Sequence, residues 1–193
     1  MSALGERVPL YCIFKTDPTE EFLDNDLDPE VRFAKSATAF SSAQHTLDWM
    51  KLFNVESFKL SLTFRATGYS FKEWFGCDEH GRTWNNNLHD LTADAGARQV
   101  HKRLFRVLLI DGFSGHCDPR VHEYCEAFDI LIQAFPPHGT AHMQPLDVGV
   151  FSAFKAQHQK TLREYVQAGN YTFTRVDFLR GLKVSCPLIA SYD

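Results

Sequence analysis

The sequence feature that most constrains the fold is a nearly continuous apolar run, LFRVLLI, which spans Leu104 to Ile110 and is followed by Asp111. Such a run is typical of a strand covered on both faces, as in a parallel sheet. A Gly-Phe-Ser-Gly turn follows, and then the patterns of a helix and of a second apolar strand. Strand, helix and strand in this order predict a βαβ unit, so we expect an α/β fold.

The helix of this unit is predicted to begin at Asp118 and Pro119. Aspartate is a favoured N-cap, and proline is favoured at the first helical position. The apolar residues that follow recur at helical spacing: Val121, Tyr124, Cys125 and Phe128. The next strand is predicted from Ile130 to Phe135.

Further elements are predicted on both sides of this unit. β-branched and aromatic residues predict strands at 7–15 and 31–35, with an acidic surface loop between them at 17–29. A helix is expected from Ser41 or Ser42 to about Phe53. A long helix is expected after Pro145, and its inward stripe is Asp147, Phe151, Phe154, His158, Leu162 and Tyr165.

Residues 54–100 break this regularity. Glycines and a polar Asn-Asn-Asn run interrupt short aromatic clusters, and no helical or strand period is sustained. The length of 193 residues fits one domain, so we interpret 1–193 as a single domain with an insertion at about 54–100.

Composition excludes several classes of protein. The net charge of −4 gives no global positive field, so contact with nucleic acid would need a local patch. No run approaches the length of a membrane span, and we expect no membrane partner. The five cysteines are scattered without zinc-site spacing, which favours reduced thiols in a cytosolic or nuclear protein.

Two carboxylates occupy related places in this pattern. Asp111 ends a buried strand, and Asp147 begins a helix expected to pack on the same sheet. Acids that converge at the carboxyl ends of parallel strands suit Mg²⁺ or Mn²⁺. On the residues alone, however, a turn-forming aspartate and a helix-capping aspartate are the commoner interpretations.

The segments LLIDGFSGH (108–116) and FPPHGTAHMQPLDVGVF (135–151) resemble the second half of the DDE superfamily endonuclease domain of pogo- and Tigger-like and fungal-type transposases. The resemblance implies a ribonuclease H-like mixed sheet flanked by helices, with Asp111 and Asp147 as catalytic and metal-binding acids. It further implies Mg²⁺ or Mn²⁺ as cofactor, DNA as partner and a nuclear location.

Other polar residues are weaker candidates for the same site. His116 and His142 either approach a scissile phosphate or orient a metal-bound water, and the alternative is that they fix loop geometry. Lys155 is a candidate contact to nucleic acid. Further cations are candidate phosphate contacts, although solvated faces explain most of them: Lys102, Arg103, Arg106, Lys160 and Arg163.

One departure from the family pattern affects the expected activity. Family members carry a first acid on a strand upstream of the segment that VPLYCIFK (8–15) resembles, and here Glu6 has no such context. We therefore expect the first acid to be absent, the sheet to lack its first strand, and the chain alone to be inactive and prone to form oligomers.

Four functions remain open on the sequence. The favoured one is a transposon-derived nucleic-acid-binding domain without cleavage activity. The alternatives are an active nuclease whose missing acid comes from a partner or a longer gene product, a domesticated protein-interaction module without nucleic-acid chemistry, and a nonfunctional remnant.

Overall fold

The computed structural model describes residues 6–16, 30–81, 103–111, 114–136 and 151–190, with side chains in the last range described up to Leu182. The predictions made for 17–29, Lys102, His142 and Asp147 lie outside these residues, as do residues 82–100 of the predicted insertion. The chain divides into two compact units, Met1–Phe40 with Phe135–Asp193, and Ser41–Ala134.

The architecture is mixed α/β, with helices and two small parallel sheets. The elements in chain order are β1 (Tyr11–Phe14), β2 (Arg32–Lys35), α1 (Ala43–Lys59), α2 (Leu62–Thr67), α3 (Phe71–Phe75), β3 (Arg106–Ile110), a 3-10 helix (Ser114–Cys117), α4 (Pro119–Ala127), β4 (Ile130–Ala134), α5 (Phe151–Gln167) and α6 (Arg175–Ala190).

The predicted βαβ unit is confirmed in the unit Ser41–Ala134. Strands β3 and β4 pair in parallel, with Leu108 opposite Ile132, and α4 connects them. Asp118 is the N-cap of α4 and Pro119 its first residue, as predicted. This topology places Asp111 directly after the carboxyl end of β3.

The core of this unit includes residues from the segment in which no element was predicted. Phe58 is fully buried, and the rings of Phe71 and Phe75 meet its ring with centroids 5.6 and 5.7 Å away. Helix α1 extends to Lys59 rather than ending near Phe53, and α2 and α3 follow it. Tertiary packing of aromatic rings therefore orders 54–77, where helical periodicity alone is weak.

The expectation that β3 is covered on both faces is wrong within the described residues. Leu108 packs against the core, but Val107 is 63% exposed and Leu109 is 52% exposed. Leu131, opposite Val107 on β4, is 50% exposed. The run is apolar on both faces, but the helices described in this unit cover only one of them.

The other unit contains the second parallel sheet and the two long helices. Strands β1 and β2 lie within the predicted ranges and pair with Cys12 opposite Phe33. Leu179 and Leu182 of α6 are buried, and they pack with a set of partly buried side chains: Leu10, Cys12, Phe14, Phe33, Phe154 and Phe178.

The predicted inward stripe of α5 is confirmed in part. Phe154, His158, Leu162 and Tyr165 are half-buried. Phe151, predicted to face inward, is exposed. It is the first residue of the helix.

Candidate functional site

Asp111 occupies the position that a ligand-binding acid takes in an open α/β sheet. It follows the last residue of β3, and its side chain is 41% exposed. Crevices beyond the carboxyl ends of parallel strands are the usual ligand sites of such sheets. The carboxylate is therefore both placed at a strand end and accessible to a cation from solvent.

His116 contacts this acid. Its Nδ1 lies 3.1 Å from Asp111 Oδ1 and 3.3 Å from the main-chain carbonyl oxygen of Asp111. Both residues are candidates from the sequence, which does not predict that they touch. The signal available in the sequence was their spacing of five residues.

Local structure holds His116 at this place. The residue belongs to the 3-10 helix Ser114–Cys117, which packs against α1 and α4. Gly115, immediately before it, is buried. Packing therefore holds the backbone next to the His116 imidazole.

Asp118, the next acid along the chain, is engaged in helix capping. Its carboxylate accepts the Arg120 main-chain N–H at 2.9 Å and pairs with the Arg120 guanidinium at 3.0 Å. These hydrogen bonds hold the pKa of Asp118 below its usual value. Within the described chain, Asp118 acts as a cap rather than as part of a ligand cluster.

The donor set at Asp111 fits a hard divalent cation only in part. Carboxylate oxygen is the preferred ligand type for Mg²⁺ and Mn²⁺. Across the described ranges, however, no group of three or more His, Cys, Asp or Glu side chains is arranged to hold a metal ion. Asp147 and His142, the other residues predicted for this site, lie outside those ranges.

The candidate cations fall into two classes. Lys155, on α5 in the other unit, is exposed, as are Lys160 and Arg163 on the same helix, and Lys160 Nζ lies 4.0 Å from Glu164 Oε1. Arg106 is buried and hydrogen-bonded to Asn54, so its proposed contact to phosphate is wrong.

Arg103 is also engaged within the protein. Its guanidinium pairs with the buried carboxylate of Asp129. Polar groups are buried where partners satisfy them, and strand periodicity does not reveal such partners. Arg106 is therefore buried in contacts within the protein, whereas the side chain of Arg103 is 62% exposed beside its carboxylate partner.

Among the described cysteines, Cys12, Cys77, Cys117 and Cys125, no disulfide is formed. Burial raises the pKa of the Cys125 thiol to about 12, which disfavours the reactive thiolate. Cys125 is therefore not an activated nucleophile.

Over 80 residues the chain is 29% identical to a protein of Cochliobolus lunatus named MFS-type transporter clz9. The match covers 42% of this chain, which spans only 9% of the length of that relative. Among the described residues, no helix is both long enough and apolar enough to cross a membrane. No solved structure matches the chain.

One protein family matches the part of the chain that contains Asp111, His116 and Lys155. The family described as DDE superfamily endonuclease matches residues 57–185, well over half of the chain. This range includes β3 with Asp111, the 3-10 helix with His116, and α5 with Lys155. The chain belongs to the DDE superfamily endonuclease family.

Proposed function

We propose that this chain is a transposon-derived, nucleic-acid-binding domain of pogo/Tigger type with a ribonuclease H-like fold. The ancestral reaction of such a domain is metal-dependent cleavage and strand transfer of DNA in the nucleus. The observation that carries the proposal is the accessible carboxylate of Asp111 at the carboxyl end of β3, inside the matched family range.

Asp111 and Asp147 are the residues proposed to hold Mg²⁺ or Mn²⁺. A divalent ion bound by carboxylates activates water or a 3′-hydroxyl and stabilises the leaving oxygen of a phosphodiester. The contribution of the chain is to place a carboxylate at the end of a rigid strand and to bring the nucleic acid to it.

We further propose that the chain by itself does not cleave DNA. Metal-dependent phosphodiester cleavage needs several acids around the cation, and the resemblance matches two in this sequence, Asp111 and Asp147. Acids that act as one unit lose their activity together when one is missing. The remaining function is binding to the phosphate backbone through local cations such as Lys155.

Plasmid nicking in Mg²⁺ or Mn²⁺ tests the inactivity of the chain. We expect the wild-type chain and the Asp111→Asn variant to give the same background. Metal-dependent nicking that disappears in Asp111→Asn would overturn the proposed inactivity and establish an active nuclease.

Salt-dependent binding tests the nucleic-acid function. We expect the wild-type chain to bind duplex DNA at low salt and to release it steeply as salt rises, because phosphate contacts displace counterions. Lys155→Gln should weaken binding and reduce the salt slope by about one. Lys72→Gln, at an exposed position on α3, is the matched control.

The alternative function is a protein-interaction module without nucleic-acid chemistry. The exposed apolar side chains of β3 and β4 favour it, since large exposed apolar patches mark interaction surfaces. Absence of DNA binding at low salt would reject the nucleic-acid function and leave this alternative.

A further inference from the structure

The Asp111 side chain lies beyond the last residue of its strand. Two rotatable bonds separate its carboxylate from the main chain, and an exposed aspartate ordinarily samples several rotamers. A cation that binds such a carboxylate must first restrict it to one orientation. A neighbouring group that restricts the carboxylate beforehand therefore strengthens cation binding.

His116 is placed to provide that restriction. Its Nδ1 faces two oxygens of the same residue, the carboxylate Oδ1 at 3.1 Å and the main-chain carbonyl at 3.3 Å. Both oxygens are acceptors, so Nδ1 must carry the proton. One N–H thus links the carboxylate of Asp111 to the backbone of the same residue.

The imidazole is itself well anchored. The 3-10 helix that carries it packs against α1 and α4, and the His116 side chain is only 24% exposed. A donor on a packed element holds an acceptor more strictly than a donor on a mobile side chain does.

We propose that His116 is a positioning residue that fixes the orientation of the Asp111 carboxylate for a divalent cation. This inference rests on the proposed function only in taking Asp111 as a metal ligand. His116 acts through Asp111, to which it donates Nδ1–H. Residues that hydrogen-bond to a metal-binding carboxylate without touching the metal orient the carboxylate in this way.

Binding of Mn²⁺ to the full chain, followed by electron paramagnetic resonance of the free ion, tests the proposal. His116→Ala removes the donor, and we expect Mn²⁺ affinity to fall by roughly 10-fold or more. His116→Asn places an amide N–H near the position of Nδ1 and should restore most of that loss. His122→Ala, at an exposed histidine of α4, should bind as the wild type does.

A second measurement does not involve the metal. In the metal-free chain, ¹⁵N NMR should report His116 with its proton on Nδ1, and Asp111→Ala should shift that signal. A His116 signal with the proton on Nε2, or one unchanged in Asp111→Ala, would overturn the proposed hydrogen bond whatever the metal does.

The outcomes separate this inference from the proposed function. If Mn²⁺ binds through Asp111 with equal affinity in the wild type and His116→Ala, only the positioning role fails. If the wild type binds no more tightly than Asp111→Asn, the metal site of the proposed function fails, and the positioning role fails with it. Thermal unfolding by circular dichroism checks that each variant is folded.

Discussion

Arg106 shows how one residue links several elements of the unit Ser41–Ala134. Its guanidinium donates to the Asn54 carbonyl oxygen at 2.9 Å, to Asn54 Oδ1 at 2.6 Å and to the Phe128 carbonyl oxygen. Asn54 Nδ2 donates to the Tyr124 hydroxyl at 2.9 Å, which donates to the Glu79 carbonyl at 2.7 Å. The network joins α1, β3 and α4.

Burial of this cation is only partly compensated. Desolvation lowers the pKa of Arg106 to about 10, and its Nε is a buried donor without a hydrogen-bond acceptor in the described structure. The guanidinium lies 5.2 Å from the centre of the Phe75 ring, a favourable contact for a cation. The remaining donors therefore depend on Asn54, Ser57 and Phe128.

Asn54→Ala should destabilise the protein strongly. The substitution removes the Asn54 side-chain partner of both Arg106 and Tyr124, and buried polar groups left unpaired are costly. We expect the free energy of unfolding to fall by about 2–4 kcal/mol in urea denaturation. Gln44→Ala, at an exposed position of the same helix, should change it by less than about 0.5 kcal/mol. A loss below about 1 kcal/mol in Asn54→Ala would contradict this reading of the network.

For Asp111, Arg106 and His116, the sequence indicates the place in the fold better than the hydrogen-bond partners. Asp111 was found because a strand end followed by a turn is visible in the pattern of apolar residues. The role of Arg106 was not found. The alternation of residues along a strand shows on which face of the sheet a side chain lies, but it does not show which polar group of a distant helix the side chain contacts. The contact of His116 with Asp111 was not found, because a spacing of five residues does not specify the distance between two side chains.

At the scale of elements, the short helices α2 and α3 were not predicted, although residues typical of helix ends are present in the sequence. Gly68 and Gly76 interrupt the pattern, and both adopt positive φ values, 69° and 71°, as C-caps of α2 and α3. Ser70 and Glu73 form a capping box at the start of α3. Helices of six and five residues are too short for a periodic signal, so capping residues were the only local evidence.

Ser61 stabilises the junction between α1 and α2. Its hydroxyl donates to the Phe58 carbonyl at 2.6 Å and accepts the Phe64 main-chain N–H at 3.1 Å. Ser61→Ala removes both hydrogen bonds, and we expect the free energy of unfolding to fall by about 1 kcal/mol. Ser61→Thr keeps the hydroxyl and should retain most of the stability. Equal losses in the two variants by urea denaturation would exclude the capping role.

At the scale of the whole molecule, the sequence predicted the α/β class and the βαβ unit but not the division into two units. The order strand, helix, strand along the chain predicts that the two strands pair in parallel. It does not determine which helices cover each face, since that depends on contacts between segments far apart in the chain. The exposed face of β3 and β4 is the clearest case. The sequence of β3 is apolar on both faces and so predicted that helices cover both, but the described helices cover only one.

This exposed face leads to a prediction about association. Val107, Leu109 and Leu131 present neighbouring apolar side chains, and parallel strands with an uncovered face or edge are prone to aggregate. We expect light scattering to show association that increases with protein concentration, and Leu131→Glu to reduce it. Leu62→Glu introduces the same charge at an exposed leucine of α2 and controls for net charge. A wild-type chain that stays monomeric at high concentration, or equal improvement in both variants, would exclude this face as the cause.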